Sequence, residues 1–103
     1  MRLVKRAAAL LDLDGHAEIL QRHSAALALR FLEAAEETMR KLVTQPRVAG
    51  LWESDDPALR DVRVWPIRGF KNHLIFYRVQ RGRVEIVRVL HAAQDIERAF
   101  HNS

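Results

Sequence analysis

The stretch Leu74-Ile75-Phe76-Tyr77-Arg78-Val79-Gln80-Arg81-Gly82-Arg83-Val84-Glu85-Ile86-Val87-Arg88-Val89-Leu90-His91 decides the fold. Its two ends, Leu74–Val79 and Val84–His91, are rich in β-branched and aromatic residues, which suit a pleated, half-buried surface. Between them Gln80-Arg81-Gly82-Arg83 reads as a short hairpin loop, with glycine supplying the torsion a tight turn requires. Strict alternation puts Ile75, Tyr77 and Val79 on one face of the first strand, opposite Leu74, Phe76 and Arg78. The same rule puts Val84, Ile86, Arg88 and Leu90 on one face of the second, opposite Glu85, Val87, Val89 and His91. One sheet face is expected to cover helices, and the other to carry polar side chains, arginines among them.

Upstream of the hairpin, Val62-Arg63-Val64-Trp65 alternates as another strand and ends at Pro66, which a central strand does not tolerate. Arg68-Gly69-Phe70-Lys71-Asn72 joins it to the next strand. Residues 46–60, with Pro46, Gly50, Pro57 and the acidic run Glu53-Ser54-Asp55-Asp56, read as loop. Before them Ala25–Val43 is rich in strong helix formers, and Ala28, Phe31, Ala35, Met39 and Leu42 make an apolar stripe. Ser24 is its expected N-cap, and Pro46 its stop. A first helix from about Ala8 places Leu10, Leu13, Ala17 and Leu20 on one face. Gly15 weakens it by about 1 kcal/mol relative to alanine, so an irregular first turn is expected. Arg2–Lys5 reads as a short strand, and Ala92–Phe100 as a short helix docking through Ile96 and Phe100. The order is (β)ααβββ: an α+β fold with a helical hairpin packed on a small antiparallel sheet, and a short C-terminal helix.

At 103 residues the chain suits one domain, 1–103, built on one core. Apolar residues at 49% and charged residues at 29% fit a soluble globular protein and argue against disorder. The absence of cysteine excludes disulfides, thiolate metal sites and cysteine nucleophiles, and it fits a reducing cytoplasm. The apolar runs are far shorter than a membrane span, and Asp12 and Asp14 interrupt any signal-peptide pattern. The net charge of +4 is unevenly placed. Residues 1–60 balance, so the whole excess sits in residues 61–103, where a nucleic acid or an acidic protein could meet it.

Five histidines, His16, His23, His73, His91 and His101, show no ligand-type spacing, so no metal and no cofactor is expected. The isolated glycines form no phosphate loop. A sheet face carrying arginines beside Tyr77, Trp65 and a histidine has the chemistry of a single-strand nucleic-acid reader. For Trp65, Phe70, Phe76 and Tyr77 a place in the core is the stronger expectation in so small a domain. RNA cleavage through the 2′-hydroxyl needs a base, an acid and fixed cations. His73 or His91 could serve as base, Tyr77 or the other histidine as acid, and Arg63, Arg68, Lys71 or Arg88 as clamp. Nothing in their spacing sets their mutual geometry.

The segments Val62-Arg63-Val64-Trp65-Pro66-Ile67-Arg68-Gly69-Phe70 and His73-Leu74-Ile75-Phe76-Tyr77-Arg78 resemble the middle strands of the ParE/RelE toxin superfamily. Val84–His91 with Asp95 resembles its last strand and terminal His-x-x-Arg-Asp motif, with Gln94 standing at the arginine position. Asp12-Leu13, Ala28 to Phe31-Leu32, and Pro46 through Gly50 follow the same pattern, so the resemblance spans nearly the whole chain. It implies the toxin of a type II toxin–antitoxin, plasmid-stabilization type of system, closer to ParE than to RelE and neutralised by a cognate antitoxin. ParE-type toxins inhibit DNA gyrase without catalysis; RelE-type toxins cut mRNA on the ribosome. The RelE-like set here would be Lys71, His73, Arg88 and His91, without a well-placed tyrosine after the last strand, which favours ParE. Partner contacts, to antitoxin or target, are expected from Arg63, Arg68, Lys71, Arg78, Arg88, His91 and Asp95. Gln94 raises the alternative of a detoxified antitoxin-binding module, and a homodimer is left open.

Overall fold

The computed structural model describes residues 1–101; the last two residues of the expected 1–103 domain lie outside it. Strand β1 (Arg2–Lys5) leads into helices α1 (Ala7–Gln21) and α2 (Ala25–Thr44). A single 3-10 turn (Pro57–Leu59) follows, then strands β2 (Arg63–Ile67), β3 (Phe70–Gln80) and β4 (Arg83–His91), and the short helix α3 (Ile96–His101). The sheet order is β1-β4-β3-β2. The β2–β3–β4 meander is antiparallel, and β1 adds to β4 in parallel, with Arg2 opposite Arg83 and Lys5 opposite Ile86. Arg81 and Gly82, the central residues of the β3–β4 turn, both take positive φ (48° and 74°), the conformation a two-residue hairpin turn needs.

The helical hairpin follows the sequence closely. Ser24 Oγ accepts the Leu27 N–H at 3.2 Å, capping α2. Ala28, Phe31, Ala35, Met39 and Leu42 are all buried, as their spacing predicts. On α1 the buried face is Ala9, Leu13 and Ala17; Leu10, expected inside, is 46% exposed. The helix begins one residue earlier than expected and passes through Gly15 without interruption; Leu13 and Ala17 face inward as expected, and Ala9 takes the inward place expected of Leu10.

Two expectations about the sheet are overturned. Strand β2 continues through Pro66 to Ile67 instead of stopping. It is an edge strand with a register shift between Pro66 and Ile67, so the missing proline N–H disrupts nothing inside the sheet. The strict alternation of β4 also fails. Tyr77 pairs with Ile86 and Phe76 with Arg88, leaving Val87 as an extra, unpaired residue. This bulge resets the period. Val84, Ile86 and Val89 therefore join the core under the helices, together with Ile75 and Tyr77. Leu90, aligned by simple alternation with Val84 and Ile86, packs instead with Phe76 on the far face, and Arg88, paired with Phe76, goes with it.

That far face is not the open arginine-bearing surface expected from the pattern. A second, smaller core covers it, in which Leu59, Val62, Phe76, Leu90 and Ile96 are buried and Trp52 and Phe100 pack alongside. The rings of Trp52 and Phe100 meet Phe76 edge-on, at 5.4 and 5.3 Å. Burial of Phe76 and Tyr77 on opposite faces of β3 agrees with the core reading of these two aromatics.

Candidate functional site

The shortness of β1 organises the site. Its last paired residue is Lys5, opposite Ile86, so the outer half of β4 has no strand beside it on that edge. Helix α1 fills the gap with side chains. Asp12 Oδ2 accepts the Val89 N–H at 2.9 Å, and His16 Nε2, one turn further on, donates to the Val89 carbonyl at 2.8 Å. Together the two side chains satisfy both backbone groups that a neighbouring strand would have bonded.

The same carboxylate holds Arg88. Arg88 Nε donates to Asp12 Oδ2 at 2.7 Å and Nη2 to Oδ1 at 2.8 Å, a bidentate pair in which each side chain is 13% exposed. Nη1 reaches the Ala99 carbonyl of α3 at 2.6 Å. The hydrogen bonds to Asp12 raise the Arg88 pKa further above its already high value, against the opposing effect of burial.

Three histidines far apart in sequence converge beside this pair. His73 stands opposite His91 across the β3–β4 ladder, and its ring meets His16 at 5.0 Å and His91 at 4.9 Å, both edge-on. Phe31 closes over it at 4.9 Å. Burial, followed by the neighbouring His16 and His91, lowers the His73 pKa to about 4, so the ring is neutral at physiological pH. His91 Nδ1 accepts the Ala93 N–H at 3.0 Å, and Gln94 Oε1 accepts the His91 N–H at 2.7 Å. Gln94 thus closes the turn after β4. Asp95 Oδ1 accepts the Arg98 N–H at 3.1 Å and so ties down the start of α3.

A groove of about 570 Å³ runs past this cluster, and Leu11, Gly15 and Ile19 of α1 line it along with His16, His73 and His91. Leu11 (71% exposed) and Ile19 (53%) are large apolar side chains left uncovered. The periodicity of α1 did not reveal this outer stripe, because the stripe assigned inward included Leu10.

The remaining basic candidates divide into two sets. Arg63 donates to the Ala49 carbonyl at 2.6 Å. Arg78 pairs with Asp61 at 2.8 Å and also bonds the Ala58 carbonyl, bracing the loop that covers the second core. Arg68 and Lys71 are exposed and form no ion pair among the described residues. Tyr77 is fully buried and donates its hydroxyl to the Pro46 carbonyl at 2.7 Å; burial raises its pKa. It therefore offers neither a stacking face nor an accessible acid. One set of candidate metal donors converges among the described residues. It comprises Asp56, Glu97 and His101, with ligand atoms within 4.8 Å of one another. His101 Nε2 faces Asp56 Oδ2 there at 3.2 Å.

Residues 4–96 match the profile of the ParE toxin of the type II toxin–antitoxin system parDE. The chain belongs to the ParE toxin family. Two solved structures share the fold of this ParE-family chain. A chromosomal ParDE toxin–antitoxin system from P. aeruginosa aligns with a TM-score of 0.72 at 22% identity, over 88% of this chain and 95% of the other. A YoeB/ParE toxin from Agrobacterium tumefaciens aligns with a TM-score of 0.58, also at 22% identity, over 88% and 98%. No functionally curated protein matches the chain by sequence. No helix among the described residues is long and apolar enough to cross a membrane.

Proposed function

We propose that this ParE-family toxin acts in the cytoplasm by binding DNA gyrase, without bond-breaking chemistry of its own, and is held inactive by a cognate antitoxin. The observation that carries this reading is the engagement of Arg88. A ribonuclease clamp must lend its guanidinium to a phosphate, whereas here Asp12 holds it on two nitrogens and Ala99 on the third. A general base works best with a pKa near the operating pH, and His73, at about 4, is far from it. The family match to a parDE toxin supports the antitoxin half of the proposal. The α1 groove, with Leu11 and Ile19 uncovered on its wall, suits an apolar helix or extended segment of that antitoxin.

The competing reading is a ribosome-dependent endoribonuclease, and one observation favours it: His73 and His91 do meet across the ladder, with Lys71 two residues before His73. The test is a gyrase supercoiling assay run beside a ribosome-dependent mRNA cleavage assay. Inhibition of supercoiling without cleavage supports the proposal; mRNA cuts that vanish in His91→Ala, with supercoiling untouched, replace it with the enzyme. Binding to antitoxin with neither effect replaces it with the detoxified module.

A further inference from the structure

Resting on that reading, we propose that the gyrase-facing surface is the cleft between α2 and the start of the β2–β3 turn, where it receives an acidic segment of the protein target around Trp65. The cleft, of about 400 Å³, is lined by Glu37, Thr38, Lys41, Trp65, Pro66 and Arg68. Three observations point to it.

The basic excess of the chain lies in residues 61–103, but half of those cations are already used. Arg63 serves the Ala49 carbonyl, Arg78 serves Asp61, Arg83 serves Glu85, and Arg88 serves Asp12. Arg68 and Lys71, on either side of Gly69 and Phe70, form no ion pair among the described residues. Lys41 of α2 joins them, with its ammonium 5.7 Å from the centre of the Trp65 ring. Three cations outside the ion pairs, Lys41, Arg68 and Lys71, therefore lie at this end of the molecule.

Trp65 gives the charge an anchor. It is only half-buried, next to the exposed Pro66, at the edge of the sheet. Tryptophan and arginine are the residues that most often carry binding energy at protein interfaces, because a large rigid ring and a planar cation lose little freedom on docking.

The layout also selects the class of partner. A nucleic-acid backbone needs a continuous track of cations. Arg81, another cation outside the ion pairs, sits at the opposite end of β3, roughly 30 Å from Lys71 at the usual rise of a strand. Glu37 adds a carboxylate to the cleft wall, which interrupts the positive charge a phosphate backbone would track and can accept a backbone N–H of a peptide segment. Two cations, one carboxylate and one aromatic fit a protein segment carrying acids on an apolar residue.

The experiment uses the full chain and purified DNA gyrase. The double charge reversal Lys41→Glu/Arg68→Glu changes only exposed side chains, and circular dichroism checks that it folds. It should lose at least tenfold in inhibition of supercoiling while keeping antitoxin affinity, whereas Arg81→Glu should inhibit like the wild type. Wild-type protein labelled with 5-fluorotryptophan carries two ¹⁹F signals, from Trp52 and Trp65. Added gyrase should shift or broaden the Trp65 signal and leave that of Trp52 in place. If the wild type inhibits and the reversal inhibits equally well, or only Trp52 responds, the cleft is not the target surface although the gyrase reading stands. If the reversal instead loses affinity for a fluorescent DNA duplex with gyrase binding intact, the partner is nucleic acid and the inference is overturned. Failure of the wild type itself to inhibit gyrase removes the broader reading, and this inference with it.

Discussion

Asp12 of α1 and Arg88 of β4, 76 residues apart, form a bidentate ion pair that is 13% exposed on each side. The same carboxylate also closes the Val89 N–H at the open edge of β4. One side chain thus holds the helical hairpin, the bulged strand and, through Arg88, the C-terminal helix in register. Removing one member of such a pair leaves a mostly buried charge uncompensated, which typically costs about 3–5 kcal/mol. Asp12→Ala should lower unfolding free energy by an amount of that order in urea denaturation. A loss below about 1 kcal/mol would show that the pair is not structural.

His73 links stability to pH. Its folded pKa, about 4, lies below the ordinary value of 6.5, so the unfolded chain binds the proton more readily. The contribution of the neutral ring to stability is fully present above pH 6.5, is lost as pH falls towards 4, and changes no further below that. Thermal melts between pH 7.5 and 4 should show this decline, and His73→Phe, whose ring cannot take up the proton, should flatten it. An equal decline in the variant would assign the effect to other groups.

The buried Tyr77 hydroxyl ties the β3 centre to the loop after α2 through the Pro46 carbonyl. Tyr77→Phe keeps the ring and removes the donor, so a loss of about 1–2 kcal/mol is expected by chemical denaturation. Gyrase inhibition should be unchanged, because the hydroxyl faces no partner.

For the antitoxin, the expected surface is the α1 groove. Leu11→Glu and Ile19→Glu alter exposed positions and should leave the melting temperature within a few degrees of wild type. Each should weaken antitoxin binding at least tenfold by calorimetry. Wild-type affinity in both variants would move the antitoxin elsewhere.

Much of this was legible in the sequence because the signals were local. The Ala28–Leu42 stripe, the Ser24 cap, the Arg81-Gly82 turn and the alternation of β3 each depend on residues a few positions apart. The bulge at Val87 was not. It sits in an unbroken β-branched run, without glycine or proline to mark it, and it is visible only through the pairing with β3. That one extra residue moved Arg88 and Leu90 to the far face. The role of Arg88 was hidden for a second reason: its partner lies on another element, facing an edge that exists only because β1 is four residues long. The histidine cluster was invisible for the same cause, since His16, His73 and His91 come from α1, β3 and β4. The second core escaped notice because the loop before β2 looked polar, while Trp52, Leu59 and Val62 inside it cover Phe76. Asp95, expected at a partner interface, also holds the first turn of α3, a role its spacing to Arg98 could have suggested.

The central claim is that this toxin acts by binding gyrase and not by cutting RNA. Its most direct test is titration of the purified protein into a gyrase supercoiling reaction, with Arg88→Lys and His91→Ala variants alongside. The account predicts dose-dependent inhibition by the wild type and by His91→Ala, with loss in Arg88→Lys no greater than its loss of folded protein. Undiminished supercoiling, together with ribosome-dependent mRNA cleavage that either substitution abolishes in a folded variant, would contradict it.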